Sequence, residues 1–294
     1  MARTGRLKME GLSFYHVMNR ITMKQRLIEE YGVKEMLLDS IRRAAEFSGV
    51  KIYAFAIMDN HYHILCEVGR EEGSPEIPEE ELLRRVAILK GERAAEDMAE
   101  QWKFWRNNNK AYKADDEIFR LRRRIGDLSE FVKTYTEMFS QRIRREKKYV
   151  GVLWQNRFKS VLIQDGSQFQ TVLRYINNNP VRAKYTKTSQ EYAWCTLGAH
   201  NLREQPLRAF AKQCKDNVES LKSAGDSPQI SVAKGEYIAE ITNAKILGNE
   251  EFVMKYGGKR PDCFGSRGVQ VHKVAEGIYA AGGSRLGKSN RFAK

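Results

Sequence analysis

Residues 51–68 read KIYAFAIMDNHYHILCEV and predict the centre of the fold. Both halves of this stretch are rich in aromatic and β-branched side chains, which favour strands. The Asp59-Asn60 dipeptide between them is a two-residue turn signal, so the halves should pair as an antiparallel hairpin. Alternate side chains of a strand share a face, which places His61 and His63 together. The hairpin is therefore expected to present two imidazoles on one face of a sheet.

The second strand of this hairpin has two different faces. Its even-numbered residues, from Tyr62 to Val68, are apolar and should pack on helices. Its odd-numbered residues include His61 and His63 and predict a less buried face of an antiparallel sheet. Two imidazoles at this spacing suit a divalent metal. For an H-x-H pair alone, two half-exposed sheet histidines are the favoured interpretation.

The flanking sequence predicts an alternation of strands and helices. Strands are indicated by alternating apolar positions and helices by apolar positions at helical spacing. A capping-box pattern, Ser167 with Gln170, marks the start of the last of these helices. The predicted elements are strands at 13–21 and 154–163, helices at 29–47 and 128–147, and a helix that begins at Ser167.

Two regions lie outside this alternation. Residues 70–128 change to a polar, charged composition and predict an inserted helical region, with a helix beginning near Glu79. Beyond residue 200 the pattern weakens, and the residues up to 294 are expected to form a basic helical extension that could bind DNA. Short helices are predicted there around 206–223, 234–245 and 269–281. The domain prediction is therefore 1–200, with its insertion, followed by 201–294.

The charge balance points to an anionic partner. The chain has 294 residues, with 51 Lys and Arg against 37 Asp and Glu, a formal net charge of +14. Such a balance favours nucleic acid. The four cysteines show no CxxC spacing, so a zinc ribbon is not expected. No apolar run approaches the length of a membrane span or a signal segment, so we expect a cytoplasmic protein without a membrane partner.

A tyrosine and an asparagine in the helix after Ser167 are candidates for chemistry. Tyr175 and Asn179 are four residues apart and should share a side of the helix, although Pro180 makes the geometry approximate. A positioned tyrosine hydroxyl together with a metal can attack a phosphodiester. Tyr135 is the competing tyrosine, but its helical spacing places it on an apolar stripe, which predicts a core residue.

Clusters of basic residues predict a DNA-binding surface. Trp154 and Phe158 lie among basic residues, as expected where bases stack, but both aromatic residues could equally belong to the core. The basic residues themselves could form a solvated helix face. The candidate contacts are Arg120, Arg122, Arg123, Arg124, Arg142, Arg144, Arg145, Lys147, Lys148, Trp154, Arg157 and Lys159.

Four segments resemble one family. They are FYHVMNR at 14–20, AFAIMDNHYHIL at 54–65, LWQNRFKSVLI at 153–163 and RYINNNPVRA at 174–183. HYH resembles the histidine-hydrophobic-histidine strand of HUH endonucleases. Together the segments resemble the REP-associated tyrosine transposases, the single-tyrosine branch of that superfamily. The resemblance covers most of residues 10–200 and neither the insertion nor the extension.

The resemblance implies a fold and an activity. The fold would be α+β, a ferredoxin-like (RRM-like) antiparallel sheet with helices on one face, the HUH endonuclease palm, and the Tyr175 helix would pass over the histidine face. Tyr175 matches the nucleophile, while His61, His63 and Asn179 match ligands for Mg²⁺ or Mn²⁺. The activity would be cleavage and transfer of single-stranded DNA at hairpins through a covalent 5′-phosphotyrosine. The protein would act as a monomer or homodimer, with the tyrosine serving its own or its partner's site.

Two other functions stay open at this stage. One is a domesticated, catalytically inert DNA-binding protein or repressor on the same fold, and the other is a metal-dependent phosphodiesterase that uses water. The stretch at 282–289 fits the phosphate-loop pattern GxxxxGKS. With only five residues after it, it lacks the helix such a loop needs, so we interpret it as a chance match. Residues 269–291 weakly resemble a truncated helix-turn-helix.

Overall fold

The computed structural model describes most of the chain. The described residues are Leu7, Met9, 11–22, 31–69, 76–223, 244–259, 270–275 and 277–282. The predicted helix at 234–245 lies outside these residues except for its last two positions. The phosphate-loop pattern lies outside them except for Gly282.

Four antiparallel strands form the centre of the sheet. They are β1 (Ser13–Arg20), β2 (Lys51–Ile57), β3 (His61–Val68) and β4 (Lys159–Ile163). Their spatial order is β2-β3-β1-β4, the order of a ferredoxin-like sheet, and the predicted α+β class is confirmed. The strand predicted at 154–163 is shorter than expected. Trp154 contributes only an isolated bridge to Ile21.

Two helices form the main layer on the even-numbered face of β3. They are α1 (Tyr31–Ser48) and α5 (Leu128–Lys147). Asp127 caps α5, since its Oδ1 accepts hydrogen bonds from the N–H groups of Ser129 and Glu130. The predicted helical insertion is present between β3 and α5, as α2 (Glu79–Lys90), α3 (Glu92–Asn107) and α4 (Ala111–Arg122).

A pair of buried tyrosines joins α5 to the sheet. Tyr135 and Tyr62 are both fully buried, and their hydroxyl oxygens are 2.7 Å apart. Phe131 and Trp154 pack edge-on against this pair. Tyr135 is therefore a core residue, as its spacing predicted.

A third helix, α6 (Ser167–Asn177), crosses the opposite face of the sheet. Its Phe169 packs edge-on against Phe14 and Tyr53. The histidine face is therefore covered by α6, as the resemblance implied for the Tyr175 helix. It is still the less buried face of β3, as expected, since Tyr62, Ile64 and Cys66 are fully buried and His61 is only half-buried. His63 is 4% exposed.

The two ends of α6 differ from the sequence prediction. Gly166 occupies the position before the helix, and no side chain caps it, so the predicted capping box does not form. The Ser167 hydroxyl instead donates to its neighbour Gln168. The helix ends at Asn177, and a separate single turn, α7 (Asn179–Arg182), follows.

The segment after residue 200 extends the same sheet. Helix α8 (Gln205–Ser223) packs on β2, and the predicted helix at 206–223 is confirmed. Strand β5 (Ile246–Gly248) pairs parallel with β4 and is followed by α9 (Glu250–Lys259). The sheet then continues through a hairpin to a total order of β2-β3-β1-β4-β5-β7-β6.

The final hairpin replaces an expected helix. Strands β6 (Gln270–Ala275) and β7 (Ile278–Gly282) pair antiparallel, with Gly277 at a φ of 66° in the turn. The helix predicted at 269–281, and with it the helix-turn-helix resemblance, is wrong. A short apolar stretch of this kind can form either element, and pairing with β5 decides for the strand. The extension is therefore not entirely helical.

The buried tyrosine pair generates a stability prediction. Tyr135→Phe leaves the Tyr62 hydroxyl without its partner in the core, which should lower the free energy of unfolding by about 1–3 kcal/mol. The double variant Tyr62→Phe/Tyr135→Phe removes both hydroxyls and should recover part of this loss. Urea denaturation of the four proteins measures both effects. Equal stability of Tyr135→Phe and wild type would contradict this account of the core.

Candidate functional site

Three histidines meet on the buried face of the sheet. His61 and His63 lie on β3, and the register of β1 against β3 brings His16 to the same face. Nε2 of His16 lies 2.9 Å from Nδ1 of His63. The rings of His61 and His63 are nearly perpendicular, with centroids 5.1 Å apart. His16 was not predicted as a site residue, because its position depends on which strand pairs with β1.

The hydrogen bonds of His61 and His63 use the same ring nitrogen. In His63, Nδ1 faces Nε2 of His16, and in His61, Nδ1 lies 2.6 Å from Oδ1 of Asn60. If each Nδ1 carries the proton and donates it, each Nε2 keeps its lone pair. This is the arrangement in which metal-binding histidines are usually held.

The surroundings keep both imidazoles neutral. Burial lowers the pKa of His61 to about 4, and the charge of Arg20 acts in the same direction, while Asp59 opposes them. Burial also lowers the pKa of His63 well below its ordinary value, with further lowering from His16. Neutral imidazole is the form that binds a metal.

Tyr175 lies against the histidines of its own chain. Its ring centroid is 5.5 Å from that of His63 and 5.9 Å from that of His16. Burial raises the pKa of the Tyr175 hydroxyl, whereas the neighbouring Asn179 side chain and the charge of Arg182 lower it. The Arg182 guanidinium lies 5.4 Å from the centre of the tyrosine ring. The tyrosine is therefore protonated at neutral pH, beside two groups that favour its anion.

Asn179 is buried beside Tyr175, but it does not line the cavity in front of the histidines. Its Nδ2 has no hydrogen-bond partner among the described residues. A 180° rotation of the amide exchanges its nitrogen and oxygen, so this position can offer either a donor or a ligand oxygen.

A cationic cavity opens in front of these residues. It has a volume of about 410 Å³. No Asp or Glu is among its lining residues, so its charge suits a phosphodiester. The lining residues are Met18, Asn19, Arg20, His61, His63, Gln155, Asn156, Arg157, Lys159 and Tyr175.

Two of the predicted DNA contacts belong to this cavity. Arg157 and Lys159 are exposed and stand at its wall. The loop before Arg157 is held at the end of β1, because the Gln155 N–H donates to the carbonyl of Arg20 at 2.9 Å. Arg20 itself was missed by the sequence analysis, although it alternates with His16 along β1.

Other predicted DNA contacts have partners within the protein. Arg122 forms an ion pair with Glu76 at 2.8 Å, and Arg142 forms one with Asp39 at 3.1 Å. Arg124 stacks on an aromatic ring of α1 at 4.7 Å. These three side chains therefore contribute to packing of the helical layer. Besides Arg157 and Lys159, the exposed members of the predicted set are Arg120, Arg123, Arg144, Arg145, Lys147 and Lys148.

Trp154 packs within the protein. Its ring contacts Tyr62 and Phe139, and its Nε1–H donates to the Ser140 hydroxyl at 3.1 Å. Of the two alternatives left open by the sequence, the contacts of Trp154 correspond to the core.

The residues present fit a divalent cation. The part of the chain that the structure describes holds no group of three His, Cys, Asp or Glu side chains placed around a metal position. The donor set offered is instead two neutral imidazoles, His61 and His63, with Asn179 buried beside Tyr175, whose ring packs against His63. Nitrogen and amide oxygen donors are compatible with Mn²⁺ and, less strongly, with Mg²⁺.

Comparison with known proteins adds a family relationship. Residues 11–80 match the family model described as transposase, IS200 like. Over these residues the chain is similar to the IS200-like transposases. This similarity confirms the transposase resemblance that the sequence motifs predicted. The matched segment contains His16, His61 and His63.

A solved structure of a REP-associated tyrosine transposase bound to a REP hairpin also matches. The identity is 14% and the TM-score 0.43, over 68% of this chain and 84% of the other. No curated protein matches the chain.

Within the described residues, no helix is long and apolar enough to cross a bilayer.

The buried histidines predict a pH-dependent stability. Unfolded His61 takes up a proton near pH 6.5, whereas the folded residue does so only near pH 4. Between these values the unfolded state binds more protons, so the free energy of unfolding should fall as the pH falls from 6.5 to 4. His63 acts with the same sign.

Urea denaturation at pH 7 and pH 5 measures this dependence. The double variant His61→Gln/His63→Gln removes the two groups and should show a smaller difference between the two pH values. A variant that loses as much stability as wild type between pH 7 and pH 5 would contradict the assignment.

Proposed function

We propose that this protein is a metal-dependent DNA strand transferase of the REP-associated tyrosine transposase type. It cuts one strand beside a hairpin and keeps one end of that strand on Tyr175. The observation that carries the proposal is the position of Tyr175. Its ring centroid lies 5.5 Å from that of His63, at a cavity lined by basic side chains. The similarity of residues 11–80 to IS200-like transposases supports the same conclusion.

The reaction is a transfer of the phosphodiester to the tyrosine. The Tyr175 oxygen attacks phosphorus, a bond from phosphorus to the tyrosine forms, and the bond to the 3′ oxygen of the preceding nucleotide breaks. The leaving oxygen takes up a proton and becomes a free 3′-hydroxyl, while the tyrosine loses its proton. A 3′-hydroxyl can later attack the phosphotyrosine and rejoin the DNA without ATP.

The protein's own residues prepare the nucleophile. Burial keeps the tyrosine protonated until the phosphate arrives, since it raises the pKa of the hydroxyl. Arg182 and Asn179 then stabilise the charge that develops on the oxygen as the proton leaves. This preorganised stabilisation is the usual main source of enzymatic rate enhancement.

The cavity orients the phosphate. Arg20, Arg157 and Lys159 are placed to neutralise the scissile phosphate and its neighbours. His61 and His63, with Asn179, would hold Mg²⁺ or Mn²⁺. When bound, the metal would polarise the phosphate and stabilise its charge in the transition state.

Replacing the nucleophile separates the three candidate functions. Tyr175→Phe removes only a hydroxyl, so the protein should fold and bind hairpin DNA as before. A tyrosine transferase then loses both the covalent adduct and strand cleavage. A phosphodiesterase that uses water keeps cutting, and a DNA-binding repressor shows no cutting in either form.

Denaturing gels with 5′- and 3′-labelled hairpin DNA and Mn²⁺ measure this outcome. The wild-type protein should retain the fragment that lies 3′ of the cut, because the tyrosine takes the 5′-phosphate. Tyr135→Phe is the matched control and should still form the adduct, since Tyr135 is buried against Tyr62. Retention of the opposite fragment, or an adduct with Tyr175→Phe, would overturn the proposal.

The metal assignment is tested on the histidines. His61→Ala and His63→Ala should abolish Mn²⁺-dependent cleavage, while hairpin affinity changes little because it comes mainly from phosphate contacts. Calorimetry should show weaker Mn²⁺ binding by each variant. His200→Ala is the control, since His200 is exposed on the 3₁₀ turn Ala199–Asn201 and does not line the cavity. Normal cleavage by both site variants would exclude these residues as ligands.

A further inference from the structure

The region around the connection between α3 and α4 in the helical insertion carries exposed aromatic side chains. We name residues 103–113, the last turn of α3, the connection and the first turn of α4, the insertion tip. Phe104 is 55% exposed and Tyr112 is 65% exposed. Both lie within one helical turn of the connection. The exposed lysines beside them are Lys103, Lys110 and Lys113.

These two aromatic side chains lie outside the core of the insertion. Its own core contains Trp102, which is 2% exposed, together with Ala114 and Ile118. The indole N–H of Trp102 donates to Glu117 at 2.7 Å and ties α3 to α4. Singly exposed apolar side chains are common on protein surfaces, so these two aromatic residues point to a partner only together with the charge around them.

The charge of the tip selects an anionic partner. Residues 101–114 contain no Asp or Glu. Arg106 is engaged by Glu79 through two hydrogen bonds of 2.6 and 3.0 Å. The three lysines of the tip have no ion-pair partner among the described residues. Aromatic faces interleaved with unpaired cations are the features that bind single-stranded nucleic acid.

The insertion packs on α1, in the layer on the face of the sheet opposite to the histidines, and at the end of the sheet away from them. It is anchored to the C-terminal half of α1, because Arg43 donates to the carbonyl of Ile88 at 2.7 Å. That half of α1 leads into β2, whose first residue pairs with Glu67. Glu67 is six residues along β3 from His61, or about 20 Å. The tip can therefore contact DNA only beyond the nucleotides that fill the cavity.

We propose that the insertion tip binds an unpaired stretch of the same DNA whose phosphate occupies the histidine cavity. Bases stack on Phe104 and Tyr112, and the three lysines neutralise the adjoining phosphates. The identity of the DNA rests on the proposed function. The tip thereby measures the length of single strand that flanks the hairpin.

Salt-dependent binding tests this inference without chemistry. Tyr175→Phe protein in EDTA is titrated by fluorescence anisotropy against hairpins whose unpaired flank is lengthened stepwise to about 16 nucleotides. Lys103→Gln, Lys110→Gln and Lys113→Gln are then added together to this protein. For long flanks, they should make the fall of log affinity with log salt concentration less steep by about 2. Short flanks should show no change. Phe104→Ala and Tyr112→Ala should each weaken long-flank binding about tenfold.

The control changes three other exposed lysines, Lys90, Lys133 and Lys212, to Gln, with the same loss of charge. An equal effect of both lysine sets, or no effect of the tip variants at any flank length, would overturn the proposal. Loss of self-association in the tip variants, measured by sedimentation, together with unchanged DNA binding, would assign the tip to a protein interface instead.

The gel assay for the tyrosine adduct is independent of these titrations. If the protein forms no adduct but binds long flanks through the tip, the strand-transfer function is disproved and the proposed role of the tip is supported. Adduct formation by a protein whose DNA binding the tip variants leave unchanged would support the strand-transfer function and disprove the role of the tip.

Discussion

The register of β1 against β3 is the constraint on which the candidate site depends. In this register Met18 pairs with His63 and Arg20 pairs with His61, so His16, Arg20 and both β3 histidines share one face. Side chains alternate along a strand, and a slip of one residue would move the whole β1 set to the other face. The apolar β1 residues of the other face, Tyr15 and Val17, are buried and oppose such a slip. Core packing thus fixes the geometry of groups that belong to the site.

Burial on that face has two consequences for chemistry. It keeps the imidazoles of His61 and His63 neutral and therefore able to bind a cation. It also keeps Tyr175 protonated. The cavity wall carries Arg20, Arg157 and Lys159 without a carboxylate. Such a wall attracts phosphate rather than a free cation, and a bound phosphate would supply the negative charge that a divalent ion requires.

Much of the fold was predictable because it depends on local pattern. The strand His61–Val68 and the helix Leu128–Lys147 have the bounds that the sequence indicated, since alternation, helical spacing and turn residues are properties of short segments. The insertion was predicted to start its first helix near Glu79 for the same reason. The prediction failed at the final hairpin, residues 270–282, where pairing with β5 outweighs local preference.

The sequence by itself determined the central hairpin, the alternation of helices and strands, the basic charge and the residues suited to metal and phosphate chemistry. Each of these follows from residue type and spacing alone. Only the tertiary structure decided that His16 contacts His63. It also decided that Arg122 and Arg142 are engaged by carboxylates within the protein. These outcomes arise from contacts between residues far apart in the chain, which local periodicity does not encode.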